Sequence, residues 1–322
     1  MSNNNTAGLE LQRKLLREPK NYIEGPGLES FTSRFGTAFP EPEFLSSDLG
    51  VTALYSLPAP SGAAQRRVLL LHGLSTPALG LLPLATHLQA LDPTAHVALY
   101  DHWGHGLSST PLVPHTAALF HAQALQVLSF LRWTSADVVG YSFGAAMAAQ
   151  FALHNPWAAT SVSLLAPAGI VPQDLFSPRL RELLVDCAGR EAEARDAVFE
   201  FLEGGPLVVP PDWRERAQRG EVVAQALRAW ELEAHAGYPH SVLSIFRRGN
   251  VYGCEDDFRE FARLPVDKVV VLAELDPVCP AAQLAELGFE SGRVRVVERA
   301  GHDVVRTEPA EVARIVYELW TR

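Results

Sequence analysis

The chain has 322 residues, of which 48% are hydrophobic and 20% are charged, and its formal net charge is −10 at pH 7. This length is enough for one large α/β domain with an inserted element, or for two smaller domains. An acidic chain without a basic run argues against binding to nucleic acid or to an anionic membrane surface, because phosphate contacts need clustered Lys and Arg.

Residues 1–25 are predicted to form a loose arm, with one helix around Leu9–Leu16. The start of the chain is polar and lacks the apolar segment of a secretory signal, and no run of about 18 apolar residues occurs. We therefore expect a soluble, cytoplasmic protein without a membrane span. The three cysteines are widely spaced and indicate neither a disulfide framework nor a metal site: Cys187, Cys254 and Cys279.

Regular elements begin with the pattern of an edge hairpin from Phe44 to Leu57. Short apolar runs then alternate with helical stretches, which is typical of buried parallel strands joined by crossover helices. The predicted strands are Val68–Leu71, His96–Tyr100, Asp137–Val139, Ser161–Leu165, Lys268–Ala273 and Arg293–Val297. The predicted crossover helices are Leu79–Leu91, Thr116–Leu131, Gly144–His154, Ala281–Leu287 and Pro309–Leu319. This alternation predicts an α/β fold with a doubly wound, mostly parallel sheet.

The alternation stops between about Gly169 and Leu264, where the chain is charged and helical and has no comparable apolar strand run. The helices predicted there are Arg179–Cys187, Arg190–Leu202 and Trp213–Ala234. We interpret this stretch as a helical cap inserted into the sheet domain. The predicted division is an amino-terminal arm at 1–25, a core at 26–167 and 266–322, and a cap at 168–265.

The sequence Gly-Tyr-Ser-Phe-Gly at 140–144 lies between a predicted strand and a run of small residues. A serine hydroxyl is a weak nucleophile unless it is held beside a base. Gly140 and Gly144 leave room for a sharp strand–turn–helix connection with Ser142 in a strained conformation at its apex. The Phe143 amide then stands at the positive end of the helix and is a candidate oxyanion donor. A chance Gly-x-Ser-x-Gly in a loop is the alternative, but the flanking strand and helix favour a nucleophile.

A second candidate oxyanion donor is the Leu74 amide, which follows the strand Val68–Leu71 in the sequence His-Gly-Leu-Ser. The alternative there is an ordinary turn at the end of a strand. Asp276 and His302 each stand just past the carboxyl end of a later strand, where functional groups of parallel sheets collect.

The chain order Ser, Asp, His is the order expected when a nucleophile elbow lies on such a sheet. We predict a triad in which His302 takes the Ser142 proton and Asp276 orients the imidazole. Two alternatives stay open, because Asp276 can instead cap a helix and a loop histidine can simply be solvated. Asp174 is the reserve candidate for the acid.

A metal site is an alternative use of His102 and His105, which lie in the segment Asp101–Ser108 with His72 nearby. These histidines fall on a glycine-rich loop rather than on one helix face, and no third set of ligands is evident, so we predict no metal. No Gly-x-Gly-x-x-Gly motif follows the first parallel strand, which argues against a nucleotide. We therefore expect no cofactor.

These motifs together resemble the ordered motif series of the alpha/beta-hydrolase superfamily: His72–Ser75, Asp101–Ser108, Gly140–Gly144, Ala273–Val278 and Gly301–Val305. The resemblance covers roughly residues 45–167 and 266–322. It points to the capped branch with monoglyceride lipases, carboxylesterases, lactonases and ring-cleavage hydrolases, and the Asp-x-Trp-Gly-x-Gly segment is similar to that of uncharacterised fungal members. It implies the alpha/beta-hydrolase fold, the triad and a structural role for the Asp101 loop. It does not identify a substrate, because the cap has no motif that can be matched.

Six aromatic residues fall in or beside the predicted cap: Phe176, Trp213, Trp230, Tyr238, Phe246 and Tyr252. Aromatic residues at helical spacing more often pack in a core than contact a ligand, but an aromatic lid would exclude water and favour an apolar group. We take Ser75, Trp213 and Tyr238 as candidate substrate contacts. No Arg or Lys clamp can be placed, so we expect a neutral, hydrophobic ester or lactone of small to medium size.

The expected function is that of a serine hydrolase that works through an acyl-enzyme on Ser142, as a monomer or a homodimer. The same triad would also serve a C–C bond hydrolase or an acyltransferase. A protein that only binds a small ligand is a third possibility, although such proteins often lack a member of the triad and none is missing here.

Overall fold

The computed structural model describes residues 20–321, which are built around an eight-stranded sheet. Its strands, in spatial order, are β10 (Val294–Val297), β9 (Asp267–Ala273), β8 (Ala159–Leu165), β7 (Ala136–Tyr141), β4 (Arg66–Leu71), β5 (Ala95–Tyr100), β3 (Gly50–Leu57) and β2 (Glu43–Ser47). The pairs β2–β3 and β3–β5 are antiparallel and all the other pairs are parallel. This sheet confirms the predicted fold class and the edge hairpin.

The sheet is buried on both faces because its strands alternate between two apolar clusters. In β4, Leu69 and Leu71 belong to one cluster, whereas Val68 and Leu70 belong to the other. Helices cover both faces, and the first four are α1 (Leu28–Phe35), α2 (Leu82–Leu91), α3 (Ala117–Phe130) and α4 (Phe143–His154). Strands buried on both sides read as continuous apolar runs, which explains why the sequence pattern located them well.

The helical segment, residues 166–266, joins β8 to β9. It contains a 3₁₀ turn at Gln173–Leu175 and the helices α5 (Pro178–Val185), α6 (Glu191–Glu203), α7 (Trp213–Gln218), α8 (Ala224–Ala234), α9 (Tyr238–Arg248) and α10 (Glu255–Arg263). The predicted single helix Trp213–Ala234 is wrong, since the chain turns at Gly220 with a φ of +80°. Helices α1, α9 and α10 are additional to the predicted ones, and the division into core and cap stays a prediction.

The carboxyl-terminal part contains α11 (Ala281–Glu286), α12 (Val304–Thr307) and α13 (Pro309–Trp320). At the other end, β1 (Tyr22–Ile23) pairs with β6 (Thr110–Pro111), so the last residues of the predicted arm are attached rather than loose. The predicted helix around Leu9–Leu16 lies outside the described residues. None of the helices within residues 20–321 combines the length and the apolar character needed to cross a lipid bilayer.

The topology determines where a site can form. Strand β4 lies between β5 and β7, so the chain winds away from it in both directions. Loops that leave the carboxyl ends of two such neighbouring strands separate to opposite faces and open a crevice. The loops after β4 and β7 are those that contain Leu74 and Ser142.

Candidate active site

Ser142 occupies a strained turn between β7 and α4, with φ 54° and ψ −119°. The turn is tight because a Cβ at Gly140 would lie 2.2 Å from the Gly144 carbonyl oxygen, and one at Gly144 would lie 2.1 Å from the Leu71 carbonyl oxygen. No residue with a side chain fits at either position. The Ser142 amide also donates to the Leu165 carbonyl over 2.9 Å, which ties the turn to the end of β8.

His302 lies between Ser142 and Asp276 and is hydrogen-bonded to both. Its Nε2 is 2.9 Å from the Ser142 hydroxyl oxygen, and its Nδ1 is 2.8 Å from Asp276 Oδ2. A carboxylate only accepts, so Nδ1 carries the proton and Nε2 is free to accept from the serine. The Asp276 side chain is 2% exposed and the His302 side chain 35% exposed. The buried acid is therefore screened from water while the base faces an opening.

Backbone contacts between the loops after β9 and β10 bring the acid and the base together. The Glu274 amide donates to the Val297 carbonyl over 3.0 Å, and the Leu275 amide donates to the Ala300 carbonyl over 2.9 Å. The Tyr141 hydroxyl, from the strand before the serine, donates to the His302 carbonyl over 2.9 Å. The reserve candidate Asp174 is exposed on a 3₁₀ turn, and the carboxylate in contact with the imidazole is that of Asp276.

The orientation of the Leu74 amide is set by the ring of His72. His72 Nε2 accepts from the His102 amide over 2.8 Å, so the proton is on Nδ1, which donates to the Gly73 carbonyl over 2.6 Å. Burial lowers the pKa of His72 well below its usual range, which keeps this neutral form. In a trans peptide the N–H points away from the C=O, so fixing the Gly73 carbonyl also fixes the direction of the Leu74 N–H.

Leu74 and Phe143 both line the cavity that contains Ser142. Phe143 is the first residue of α4, where an amide has no partner within its own helix. Gly73 packs directly behind the serine, since a Cβ there would lie 3.0 Å from Ser142 Cβ. The two residues predicted to supply oxyanion donors therefore both border the cavity beside the serine.

The cavity has a volume of about 310 Å³ and an apolar wall. Its polar lining residues are Ser75 and the three hydrogen-bonded residues Ser142, Asp276 and His302, and within residues 20–321 no Lys or Arg lines it. The apolar wall consists of Leu74, Phe143, Ala168, Val171, Leu175, Phe201, Leu202, Phe246, Val251, Pro277 and Val278. Ser75 thus lies where a substrate contact is expected.

Trp213, a predicted substrate contact, does not line the cavity that contains Ser142. Helices α7 and α8 turn their aromatic residues towards α1, where the Trp213 ring lies 5.5 Å from the ring of Phe35. Trp230 packs against the same helix, 5.2 Å from Phe31. These rings pair edge to face in a core cluster that the helical spacing alone cannot distinguish from a lid.

Tyr238 is also absent from the cavity wall and fully buried, and its hydroxyl donates to the Leu74 carbonyl over 3.0 Å. The helical segment instead contributes seven apolar residues: Ala168, Val171, Leu175, Phe201, Leu202, Phe246 and Val251. Of the six aromatic residues in or beside the predicted cap, only Phe246 lines the cavity. Apolar spacing marks Phe201 and Leu202 as inward-facing, but it does not say whether they face the core or a cavity.

The Asp101 loop is held by backbone contacts. The Asp101 carboxyl accepts from the amides of Ala78 and Leu107, at 2.8 and 2.9 Å, and burial raises its pKa to about 6. His102 Nε2 and His105 Nδ1 contact backbone carbonyls. Within residues 20–321 no group of three or more His, Cys, Asp or Glu side chains is arranged to hold a metal ion.

Comparison with known proteins gives a consistent assignment of the fold. The sequence profile of the Alpha/beta hydrolase family matches residues 68–315. The structure is similar to the enol-lactonase from Burkholderia xenovorans LB400, with a TM-score of 0.63 and 19% identity over 87% of this chain and 100% of that chain. It is also similar to an esterase from Exiguobacterium antarcticum, with a TM-score of 0.63 and 15% identity over 88% and 100% of the two chains. A meta-cleavage product hydrolase from Pseudomonas fluorescens IP01 has a TM-score of 0.61 and 18% identity over 87% and 97%.

Proposed function

Because the chain belongs to the alpha/beta hydrolase family, we propose that it is a serine hydrolase that cleaves the ester or lactone bond of a neutral, hydrophobic substrate. The observation that carries this proposal is the hydrogen-bonded series Ser142–His302–Asp276, which opens into an apolar cavity. The order and protonation of this series match what nucleophilic catalysis by serine requires.

In the proposed reaction, the Ser142 hydroxyl oxygen attacks the substrate carbonyl while His302 Nε2 accepts its proton. Asp276 stays ionised and stabilises the imidazolium. The carbonyl oxygen becomes an oxyanion held by the Leu74 and Phe143 amides. When this intermediate collapses, His302 returns the proton to the leaving alcohol, and a water molecule then releases the acid from Ser142 by the same steps. These steps need no cofactor.

The substrate class follows from the cavity wall. An anionic substrate would lose its hydration without finding an opposite charge, since the wall within the described residues has no Lys or Arg. At about 30 Å³ of liquid volume per water-sized group, 310 Å³ holds on the order of ten non-hydrogen atoms. Esters and lactones of short to medium length therefore fit best, and Ser75 is the proposed polar contact.

The test is the variant Ser142→Ala with p-nitrophenyl esters of graded acyl length. We expect kcat to fall by at least about 10⁴-fold without a change in thermal stability, because the nucleophile is lost and the packing is kept. A fluorophosphonate probe should label the parent protein and not this variant. The matched control is Ser61→Ala, which removes an exposed turn serine and should leave both activity and labelling intact. Retention of most activity in Ser142→Ala would overturn the proposal.

The type of bond is tested with three substrate classes. Simple esters and enol-lactones correspond to the esterase and the enol-lactonase among the similar structures, and diketones with a cleavable C–C bond test the alternative reaction. We expect esters or lactones to give the highest kcat/KM. If a diketone is cleaved faster than every ester and lactone, the ester assignment is wrong and the role of Ser142 as nucleophile still holds.

A further inference from the structure

Tyr238 connects the helical segment to the loop that follows β4. It is the first residue of α9, its side chain is fully buried, and its hydroxyl donates to the Leu74 carbonyl over 3.0 Å. Burial raises the pKa of this hydroxyl well above its usual range, so the group stays a donor. The His105 ring meets the Tyr238 ring edge to face at 5.2 Å and fixes its position.

This hydrogen bond holds the second of the two peptide groups that flank Leu74. The first, between Gly73 and Leu74, is fixed by His72 Nδ1 at 2.6 Å. The second, between Leu74 and Ser75, is fixed by the Tyr238 hydroxyl. A residue whose two peptide planes are both held has no free backbone torsion, so its N–H cannot swing out of line.

We propose that Tyr238 is a positioning residue for the oxyanion site, acting through the Leu74 carbonyl rather than on the substrate. The proposal rests on the proposed function, because it needs an oxyanion beside Leu74. Tyr238 does not line the cavity, which separates it from a substrate contact. His72 holds the peptide group that carries the Leu74 N–H, and Tyr238 of the helical segment holds the next one, so that Leu74 is held on both sides.

The expected effect lies in the transition state. An oxyanion donor contributes most when charge has developed on the substrate oxygen, and removing such a donor outright costs about 10²- to 10³-fold in kcat. Loosening the donor while keeping it costs less. We therefore expect Tyr238→Phe to lower kcat about tenfold and to leave KM within about twofold, since the neutral ground-state carbonyl depends less on the donor.

The experiment compares Tyr238→Phe with Tyr55→Phe. Tyr55 is also buried, and its hydroxyl donates to Asp101 over 3.2 Å, so the control removes a similar hydrogen bond away from Leu74. Both variants lose one oxygen atom and should fold, which circular dichroism and thermal unfolding check. Only Tyr238→Phe should lower kcat. Equal kcat values for Tyr238→Phe and the parent, or equal losses in the two variants, would overturn the proposal.

A second readout separates positioning from general loosening. The Ser142 oxygen adds to the carbonyl carbon of a trifluoromethyl ketone, the serine proton moves to His302, and the carbonyl oxygen becomes an oxyanion. The matching secondary alcohol binds without forming an oxyanion. The Ki of the ketone should rise in Tyr238→Phe by the factor by which kcat falls, and the Ki of the alcohol should not change. A parallel rise of both constants would indicate a structural role only. If the parent protein neither turns over esters nor reacts with a fluorophosphonate, the proposed function has failed instead.

Discussion

Two parts of the helical segment are attached to the protein by different kinds of contact. The inner half (residues 224–248, α8 and α9) is joined to the loop after β5 by buried hydrogen bonds. The Gly106 amide donates to Glu231 over 2.7 Å, His235 Nε2 contacts the Ser108 carbonyl at 2.9 Å, and the Ser241 hydroxyl donates to the Trp103 carbonyl over 3.0 Å. The close fit leaves no space for a Cβ at Gly104, which would lie 2.2 Å from Ser241 Cβ.

The outer half (residues 178–212, with α5 and α6) combines apolar burial with ion pairs at the surface. Its residues in the apolar core are Leu180, Leu183, Leu184, Ala194, Ala197 and Val198. Arg190 pairs with Glu182 and Glu193 at 2.6 and 2.8 Å, and its side chain is 41% exposed. Val185 and Val208 are 83% and 74% exposed. This half supplies Phe201 and Leu202 to the cavity wall. The inner half supplies Phe246 to the same wall and holds the loop after β4 through Tyr238.

The difference teaches how the two halves divide their roles. A buried hydrogen bond is costly to break, because the group left behind has no water to replace its partner. An exposed ion pair contributes little, because water and salt screen it. We therefore expect the loss of a buried hydrogen bond in the inner half to lower stability more than the loss of a surface ion pair in the outer half. We also expect Phe201 and Leu202 of the outer half to affect which substrate sizes are accepted.

The largest effect on stability is expected at Glu231, a fully buried residue of the inner half. Glu231→Ala leaves the Gly106 amide without its acceptor and should lower the free energy of unfolding by about 2–3 kcal/mol. Glu231→Gln keeps an acceptor oxygen and should cost less than half as much. Urea unfolding followed by circular dichroism measures both. Equal stabilities for the parent and Glu231→Ala would contradict the expectation that buried hydrogen bonds stabilise the inner half.

The next test uses pH. Burial lowers the pKa of His115 and His235 from 6.5 to about 4 in the folded protein. The folded state then binds fewer protons than the unfolded state between pH 6.5 and pH 4, so stability present above pH 6.5 is lost as the pH falls. Each histidine should contribute about 2 kcal/mol to the decline between pH 6.5 and pH 5, and His235→Gln should make the decline correspondingly shallower.

Two buried acids oppose this decline. Burial raises the pKa of Asp101 from 3.8 to about 6 and raises that of Glu231 well above its usual range, so both favour the folded state on acidification. Glu231→Gln removes one of these opposing contributions and should make the decline steeper. Unfolding curves at several pH values would give the slopes. Identical slopes for the parent, His235→Gln and Glu231→Gln would show that these groups do not titrate as buried groups.

A smaller effect is expected for the outer half, on specificity. The Phe201 ring lies 4.9 Å from Phe176 and forms part of the cavity wall. Phe201→Ala enlarges the cavity and should raise the kcat/KM ratio of longer to shorter acyl esters by roughly tenfold. The control is Phe199→Ala in the same helix, since Phe199 packs against Tyr238 and does not line the cavity. An unchanged ratio in Phe201→Ala would assign size selection to another part of the wall.

The sequence predicted the sheet and the Ser142 turn well for a physical reason. Strands buried on both faces and a turn with two obligatory glycines leave local patterns, and the parallel topology places every strand end at one edge. Asp276 and His302 were found because only strand ends needed to be identified, and the structure brings both to Ser142.

The helical segment was predicted less well because its orientation depends on distant contacts. Trp213 packs on α1, a helix that the sequence pattern does not predict, and the hydrogen-bond partner of Tyr238 lies 164 positions away in the chain. Helical spacing distinguishes an inward from an outward face, but it does not say what the inward face meets. Trp213 and Phe201 therefore carry the same pattern and have different surroundings.

The smallest effect is expected at Arg190, where a substitution should change neither stability nor activity. Arg190→Ala removes the ion pairs with Glu182 and Glu193, all of them on a surface where water competes with each contact. The thermal midpoint and kcat should match those of the parent protein at both low and high salt, because there is little electrostatic stabilisation for salt to screen. Glu231→Ala, measured beside it, should unfold at a clearly lower temperature. If Arg190→Ala were destabilised as much as Glu231→Ala, the surface ion pairs of the outer half would contribute as much as the buried hydrogen bond of the inner half, and the contrast between the two kinds of contact would be wrong.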